Sequence, residues 1–184
     1  MSEKEIEYWI QPEQEENYSE VEALVKHAFM DLADGNPMEP DLVKKLRKGD
    51  SFVPGLSLIA HDGEKILGHI LLTRIRIVGE GKEILSLAMA PVSVLPDMQN
   101  QGIGGELIRV SIEMAKAMGY GSIIVLGHSG YYPRFGFRPT ENWQIRAPFD
   151  VPADALMGLE LEKGALRGCP MGIIEYPKVF FEGE

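Results

Sequence analysis

The stretch Val94-Leu-Pro-Asp-Met-Gln-Asn-Gln-Gly-Ile-Gly-Gly-Glu-Leu107 decides how this chain is read, because an apolar strand breaks there into a glycine-dense turn that opens into an amphipathic helix. The first four backbone N–H groups of a helix lack intrahelical partners, and the macrodipole adds roughly half a positive charge at that end. An anion fits there without any basic side chain. Gly102, Gly104 and Gly105 remove β-carbons that would hold a ligand off the backbone, and they allow positive-φ conformations that turn successive N–H groups into one concavity. A diphosphate is the natural guest. Two phosphate motifs fail at identifiable positions. A dinucleotide-binding Gly-x-Gly-x-x-Gly starting at Gly102 would need glycine at Leu107, and a Walker loop would need lysine where Glu106 stands. Taken alone, the loop is equally compatible with an ordinary glycine turn between strand and helix.

The strand that feeds the loop, Ile84 to Leu95, is apolar on both alternating faces, as a central strand should be, yet it contains Pro91. Proline cannot donate to a ladder, so the strand should bulge or part from a neighbour there. A parted strand leaves N–H and C=O groups that an extended, amide-bearing ligand could pair with. The alternative is that Pro91 ends one strand and starts another. About thirty residues beyond the loop comes Tyr131-Tyr132-Pro-Arg-Phe-Gly136-Phe137, where a packed tyrosine and a reactive one are even readings of Tyr132.

Gln99-x-x-Gly102-x-Gly104 resembles the coenzyme A pyrophosphate loop of the Gcn5-related N-acetyltransferases, the GNAT superfamily. Tyr131 to Phe137 resembles that superfamily's Phe-Tyr-x-x-x-Gly-Phe motif, in which the second aromatic carries the chemistry. Phe52 to Ala60, Gly68-His69-Ile70-Leu71, Val125-Leu126-Gly127 and Leu159 to Leu166 are similar to the YhbS-type branch, so the likeness covers roughly residues 24–180. It implies a mixed α/β fold: a largely antiparallel central sheet flanked by helices, with a splayed parallel strand pair. It further implies one domain over residues 1–184, with a core of about 5–140 and a C-terminal strand extension of about 141–181.

The resemblance also implies acetyl-CoA as co-substrate. Its diphosphate would lie on the backbone of Gln99, Asn100, Gln101, Gly102, Ile103, Gly104 and Gly105, and its pantetheine beside Val92 to Val94. Arg134 would reach a phosphate. An amine, on a small molecule or a peptide, would attack the thioester directly, without an acyl-enzyme. The backbone N–H of Val94 would meet the oxyanion, and Tyr132 would give a proton to the departing thiolate. A free tyrosine titrates near ~10 and a thiol near ~8.5, so full transfer is uphill by roughly 2 kcal/mol and a short hydrogen bond is the economical form of help.

Many GNAT enzymes carry a glutamate base on the strand that here reads Ile84-Leu-Ser-Leu-Ala-Met-Ala90, and this chain has none there. Ser86, His69 and Glu39 are candidates by position only, and water is a further route. His128 and Ser129 stand where related sequences often carry Asp-Pro, a departure that bears on the acceptor pocket. Two other classes remain as competitors: a non-catalytic coenzyme A or acyl-CoA sensor, favoured by the missing carboxylate, and a nucleotide-binding α/β protein, disfavoured by both failed motifs.

Composition narrows the rest. A chain of 184 residues has room for one sizeable core. The 45% apolar and 25% charged fractions are those of an ordinary globule. A net charge of −10 argues against a nucleic-acid partner held through phosphates, and modestly favours a cationic acceptor. No run approaches the length of a membrane span, and the acidic start Met1-Ser-Glu-Lys-Glu-Ile6 is unlike a signal peptide, so a cytoplasmic location is expected. The single Cys169 excludes an internal disulfide and reads as an inert small side chain. His27, His61, His69 and His128 lack metal-ligand spacing, so no metal is implied. A homodimer is compatible with the sequence.

Periodicity supplies the element order. Ile6 to Ile10 predicts a first strand, and the capping box Ser19-x-x-Glu22 a helix with its apolar stripe at Val21, Leu24, Val25, Ala28, Phe29 and Leu32. A helix from Asp41 to Lys48 stops at Gly49. Leu56 to His61 and Lys65 to Val78 form a hairpin through Asp62-Gly63. After the loop, Glu106, Arg109, Glu113 and Lys116 make a solvated helix face, and Ser122 to Leu126 returns parallel to the preceding strand. Leu156 to Leu161 and Met171 to Tyr176 extend the sheet. The stretch Asp34 to Pro40 carries the least structure.

Overall fold

The structure, a computed structural model, describes residues 5–30 and 41–182. Among these residues eight strands form one mixed sheet: β1 (Trp9–Pro12), β2 (Phe52–His61), β3 (Ile66–Gly79), β4 (Lys82–Val94), β5 (Ser122–Leu126), β6 (Arg138–Pro139), β7 (Leu156–Glu160) and β8 (Ile173–Glu175). Among the described residues three α-helices accompany them: α1 (Tyr18–Met30), α2 (Leu42–Arg47) and α3 (Ile103–Ala117). The strand order is β1-β2-β3-β4-β5-β7-β6, with β8 also pairing β3. All pairs are antiparallel except β4 with β5, which lie parallel as a strand reached through a helix requires.

Alternation in β2 and β3 divides the core in two. Leu56, Leu58, Ile70 and Leu72 face α3 through Ile103, Leu107 and Ile108. Ile59, Ile66 and Leu71 face the other way, against Val21, Leu24 and Val25 of α1 and Leu42, Val43 and Leu46 of α2. Gly68 lets α3 approach closely, since a β-carbon there would lie 3.0 Å from Leu107 Cδ1 and 3.1 Å from the Ser93 carbonyl.

Pro91 has the predicted effect. Between Ile70↔Val92 and Leu72↔Met89, β4 spends one more residue than β3, a bulge that contains Ala90 and Pro91. On its other edge β4 registers with β5 only at Leu87↔Ile123 and Ala88↔Ile124. From there on, the parallel pair is splayed.

Three details differ from the periodicity reading. The first strand is Trp9–Pro12 rather than Ile6 to Ile10, displaced toward residues that face Leu58 to His61. Ser19 lies inside α1, because a 3₁₀ turn over Glu15–Asn17 starts the helix earlier, with the Gln14 N–H donating to Asn17 Oδ1 at 2.8 Å. The tail joins the sheet at two separate places: β7 beside β5, and β8 on the edge of β3 beyond the reach of β2. Asp34 to Pro40, Leu32 and Glu39 lie outside the described residues. Among those described, no helix is long and apolar enough to cross a membrane.

Candidate functional site

The end of β4 exposes one backbone edge. The Leu95 N–H donates to the Leu67 carbonyl at 2.9 Å, so residue 95 faces β3 and, by strand alternation, the N–H and C=O of Val92 and Val94 face the splayed side. The Gln99 side-chain amide reaches back to the Val94 carbonyl at 3.3 Å, tying the loop to that edge.

Asn100 and Gly102 then adopt positive φ, 61° and 85°, and Gly102 caps the N-terminus of α3 with its carbonyl accepting from the Glu106 N–H at 3.0 Å. The left-handed conformation accounts for Gly102. It does not account for Gly104. A β-carbon there would sit at ordinary contact, 3.5 Å from Val94 Cγ2 and 3.8 Å from Tyr131 Oη. Packing within the protein tolerates alanine, so the bare backbone leaves room for something else.

The tyrosine segment arrives on the same face. Gly127 ends the run after β5, and its N–H donates to the Ala155 carbonyl; a β-carbon at Gly127 would run into the Tyr132 ring. The chain turns through exposed His128, Ser129 and Gly130 into a 3₁₀ turn, Tyr132–Phe135, closed by Gly136 at φ 97°. Tyr132 packs edge-on against Tyr131 (5.2 Å) and Phe137 (5.8 Å). Burial, with a smaller contribution from Tyr131, pushes the Tyr132 hydroxyl up to about 12. Val92, Val94, Tyr131, Tyr132 and Phe135 all pack on the core that α3 covers.

Two residues enter this neighbourhood that sequence reading did not single out for it. Tyr131 brings its hydroxyl to Gly104, and Arg109 lies beside Gly105, its Nη1 3.4 Å from the position of a β-carbon there and its guanidinium 5.2 Å from the Phe135 ring centre. Arg109 belongs to the exposed charged face of α3, where it also pairs with Glu106 at 3.9 Å. Arg134 is exposed, donates to the Tyr131 carbonyl at 3.0 Å and lies over the Tyr131 ring.

The positional base candidates separate cleanly. Ser86 is fully buried and spent within the sheet, 2.7 Å from Ser122 Oγ. His69 is fully buried on the α1 and α2 face, and Glu39 lies outside the described residues. Cys169 is buried near β8, its Sγ 3.6 Å from the Lys82 carbonyl. Among the described residues, no group of three or more His, Cys, Asp or Glu is placed to hold a metal ion. A cavity of about 430 Å³ is lined by Ile145, Arg146, Phe149 and Leu156 among others, and no residue of the glycine turn lines it.

Comparisons with known proteins agree on one family. The family model described as an acetyltransferase (GNAT) domain matches residues 10–140. The uncharacterized N-acetyltransferase YjhQ of Escherichia coli (strain K12) is 42% identical over 121 residues, 65% of this chain and 67% of that protein. The uncharacterized N-acetyltransferase YhbS of the same organism is 28% identical over 161 residues, 87% of this chain and 90% of that protein. Among solved structures, Escherichia coli YhbS in complex with CoA superposes with a TM-score of 0.84 at 23% identity, covering 100% of this chain and 97% of that one. A GNAT family acetyltransferase from Brucella melitensis in complex with acetyl-CoA gives 0.77 at 28% identity, covering 95% and 99%.

Proposed function

Because this chain belongs to the GNAT acetyltransferase family, we propose that it moves the acetyl group of acetyl-CoA directly to an amine of a small molecule or peptide, in a ternary complex. The observation that carries this reading is the convergence, on one face, of a parted strand edge, a glycine turn at a helix start, and Tyr132. The crystallised relatives from Escherichia coli and Brucella melitensis, bound to CoA and acetyl-CoA, support it.

The residues fit such a co-substrate. Gly104 leaves a cradle that a β-carbon would fill without being required by packing, and Val92 and Val94 offer amide groups along a strand edge. When bound, acetyl-CoA supplies an activated thioester. We assign the diphosphate to the backbone of Gln99 to Gly105, with Arg109 and Arg134 as flanking cations, and the pantetheine amides to Val92 and Val94. The Val94 N–H is fixed in the sheet and aimed at the gap, a preorganised donor for charge developing on the acetyl oxygen. Tyr132 keeps its proton throughout the physiological range. With its hydroxyl near 12 and a thiol near ~8.5, complete transfer is uphill by roughly 5 kcal/mol, so Tyr132 serves the leaving thiolate through a hydrogen bond. We read the chain as one cytoplasmic domain that needs neither metal nor nucleic acid.

The sensor reading draws on Ser86 being tied to Ser122, which leaves the strand without a carboxylate or an available hydroxyl there. Thiol release from acetyl-CoA, followed across polyamines, amino acids, aminoglycosides and lysine peptides, tests the two. Acceptor-dependent release is expected; tight binding of acetyl-CoA with no release across the panel would favour the sensor.

A further inference from the structure

Tyr131 carries a hydroxyl where the Phe-Tyr-x-x-x-Gly-Phe motif it resembles has phenylalanine, and the packing of its ring makes no use of that oxygen. The ring meets Tyr132 edge-on at 5.2 Å and Phe135 at 5.3 Å, and the Arg134 guanidinium lies 4.5 Å over its centre. The backbone is tied as well. The Tyr131 N–H donates to the His128 carbonyl at 3.0 Å, and the Tyr131 carbonyl accepts from Arg134 Nε at 3.0 Å. All of these contacts survive a change to phenylalanine. The hydroxyl enters none of them, and among the described residues it has no hydrogen-bond partner.

The same packing sets where that hydroxyl points. Tyr131 Oη lies 3.8 Å from the position a β-carbon would take on Gly104, and Val94 Cγ2 lies 3.5 Å from it. Gly104 is the second residue of α3. The first bond within the helix runs from the Glu106 N–H to the Gly102 carbonyl at 3.0 Å, so the N–H groups of Ile103, Gly104 and Gly105 have no partner inside it. Orphan amides, a missing β-carbon and a phenol therefore border one slot. Gly105 differs, because the ring that a β-carbon there would meet belongs to Phe135, at 3.6 Å, and offers no donor. Glu106, the acidic residue of this first turn, is paired with Arg109 at 3.9 Å, which offsets its charge. The slot is thus built of donors, and an anion is what donors at a helix start accept.

We propose that the Tyr131 hydroxyl donates a hydrogen bond to the diphosphate of acetyl-CoA at Gly104; this rests on the co-substrate reading above, and not on the transfer itself. The glycine turn supplies backbone donors from one segment, and Tyr131 supplies a side-chain donor from another. Hydrogen bonds to charged acceptors are roughly twice as strong as neutral ones, so one phenol is enough to be read in the affinity. The ring contacts fix the hydroxyl before the ligand arrives, which spares the bond most of the usual cost of ordering a side chain. Tyr131 is accordingly a binding residue, and its neighbour Tyr132 keeps the separate task at the thiol.

The test is calorimetry on the full chain, with thermal melts of the free protein beside it. Tyr131→Phe keeps the ring and should melt as wild type does, whereas Tyr131→Leu, which loses the ring, should melt lower. In Tyr131→Phe the Kd for acetyl-CoA should rise about tenfold or more, the scale of one lost bond to a charged group. The nucleotide half alone, 3′-phosphoadenosine 5′-diphosphate, keeps the diphosphate without the pantetheine arm and should weaken by the same factor. An acetyl-CoA Kd equal to wild type overturns the assignment. So does a loss seen with acetyl-CoA but not with the nucleotide, which would put the hydroxyl on the pantetheine arm, and so does a Tyr131→Phe variant that melts as low as Tyr131→Leu. A wild-type chain that binds acetyl-CoA through Tyr131 and acetylates nothing keeps this assignment while the transferase reading gives way to the sensor; a wild-type chain that binds neither ligand removes both.

Discussion

Tyr132 owes its place to Gly127, because the ring occupies the volume that any β-carbon at 127 would need. Gly127→Ala should therefore displace the ring and lower kcat by about 10- to 100-fold, the scale of one misplaced proton donor, while acetyl-CoA affinity measured by calorimetry stays within about twofold. A wild-type kcat in that variant would separate Tyr132 from the chemistry. Tyr132 was legible as a candidate because its heptapeptide resembles a motif. Tyr131 was not, since its approach to Gly104 depends on how two segments about thirty residues apart pack together, which no local pattern reports; Arg109 stands one helical turn after Gly105 on α3, and in the sequence it read as part of a solvated charged face.

At the scale of elements, β4 and α3 form the unit on which the proposal stands. Gly104 lies in the first turn of α3 with space for a methyl group, so Gly104→Ala should raise stability by about 0.5–1 kcal/mol through helix propensity. The same methyl group should weaken acetyl-CoA binding at least about tenfold, equivalent to ~1.4 kcal/mol. Thermal melts and calorimetry on one preparation check both signs, and a variant that gains stability without losing affinity would move the diphosphate elsewhere. The bulge at Pro91 was legible because proline's missing donor has one consequence in a central strand. The start of α1 was not. Ser19-x-x-Glu22 fits a capping box, but Gln14 and Asn17 settle the chain a turn earlier, and β1 follows whichever residues meet β2.

For the whole molecule, the Glu13, Arg47, Ser57 and His69 cluster joins the segment after β1 to α2, β2 and β3. Arg47→Met leaves Glu13 buried and unpaired and should cost about 3–5 kcal/mol in urea denaturation. The folded His69 titrates near 4 against ~6.5 unfolded, so the unfolded chain binds the extra proton first and stability falls as pH drops through that window. Between pH 7.5 and 5 the loss should be about 2 kcal/mol, with a flatter profile in His69→Gln; equal slopes in both proteins would show that His69 is not held neutral. None of this cluster is close in sequence, and His69 was visible there as a base candidate by position, without the Ser57, Glu13 and Arg47 that surround it.

The central claim is that one site binds acetyl-CoA and uses Tyr132 to release the thiol. The most direct measurement is kcat together with acetyl-CoA Kd for wild type and Tyr132→Phe, with whichever amine the panel selects. The account predicts a kcat lower by about 100-fold or more at an unchanged Kd. Equal turnover in the two proteins would contradict it.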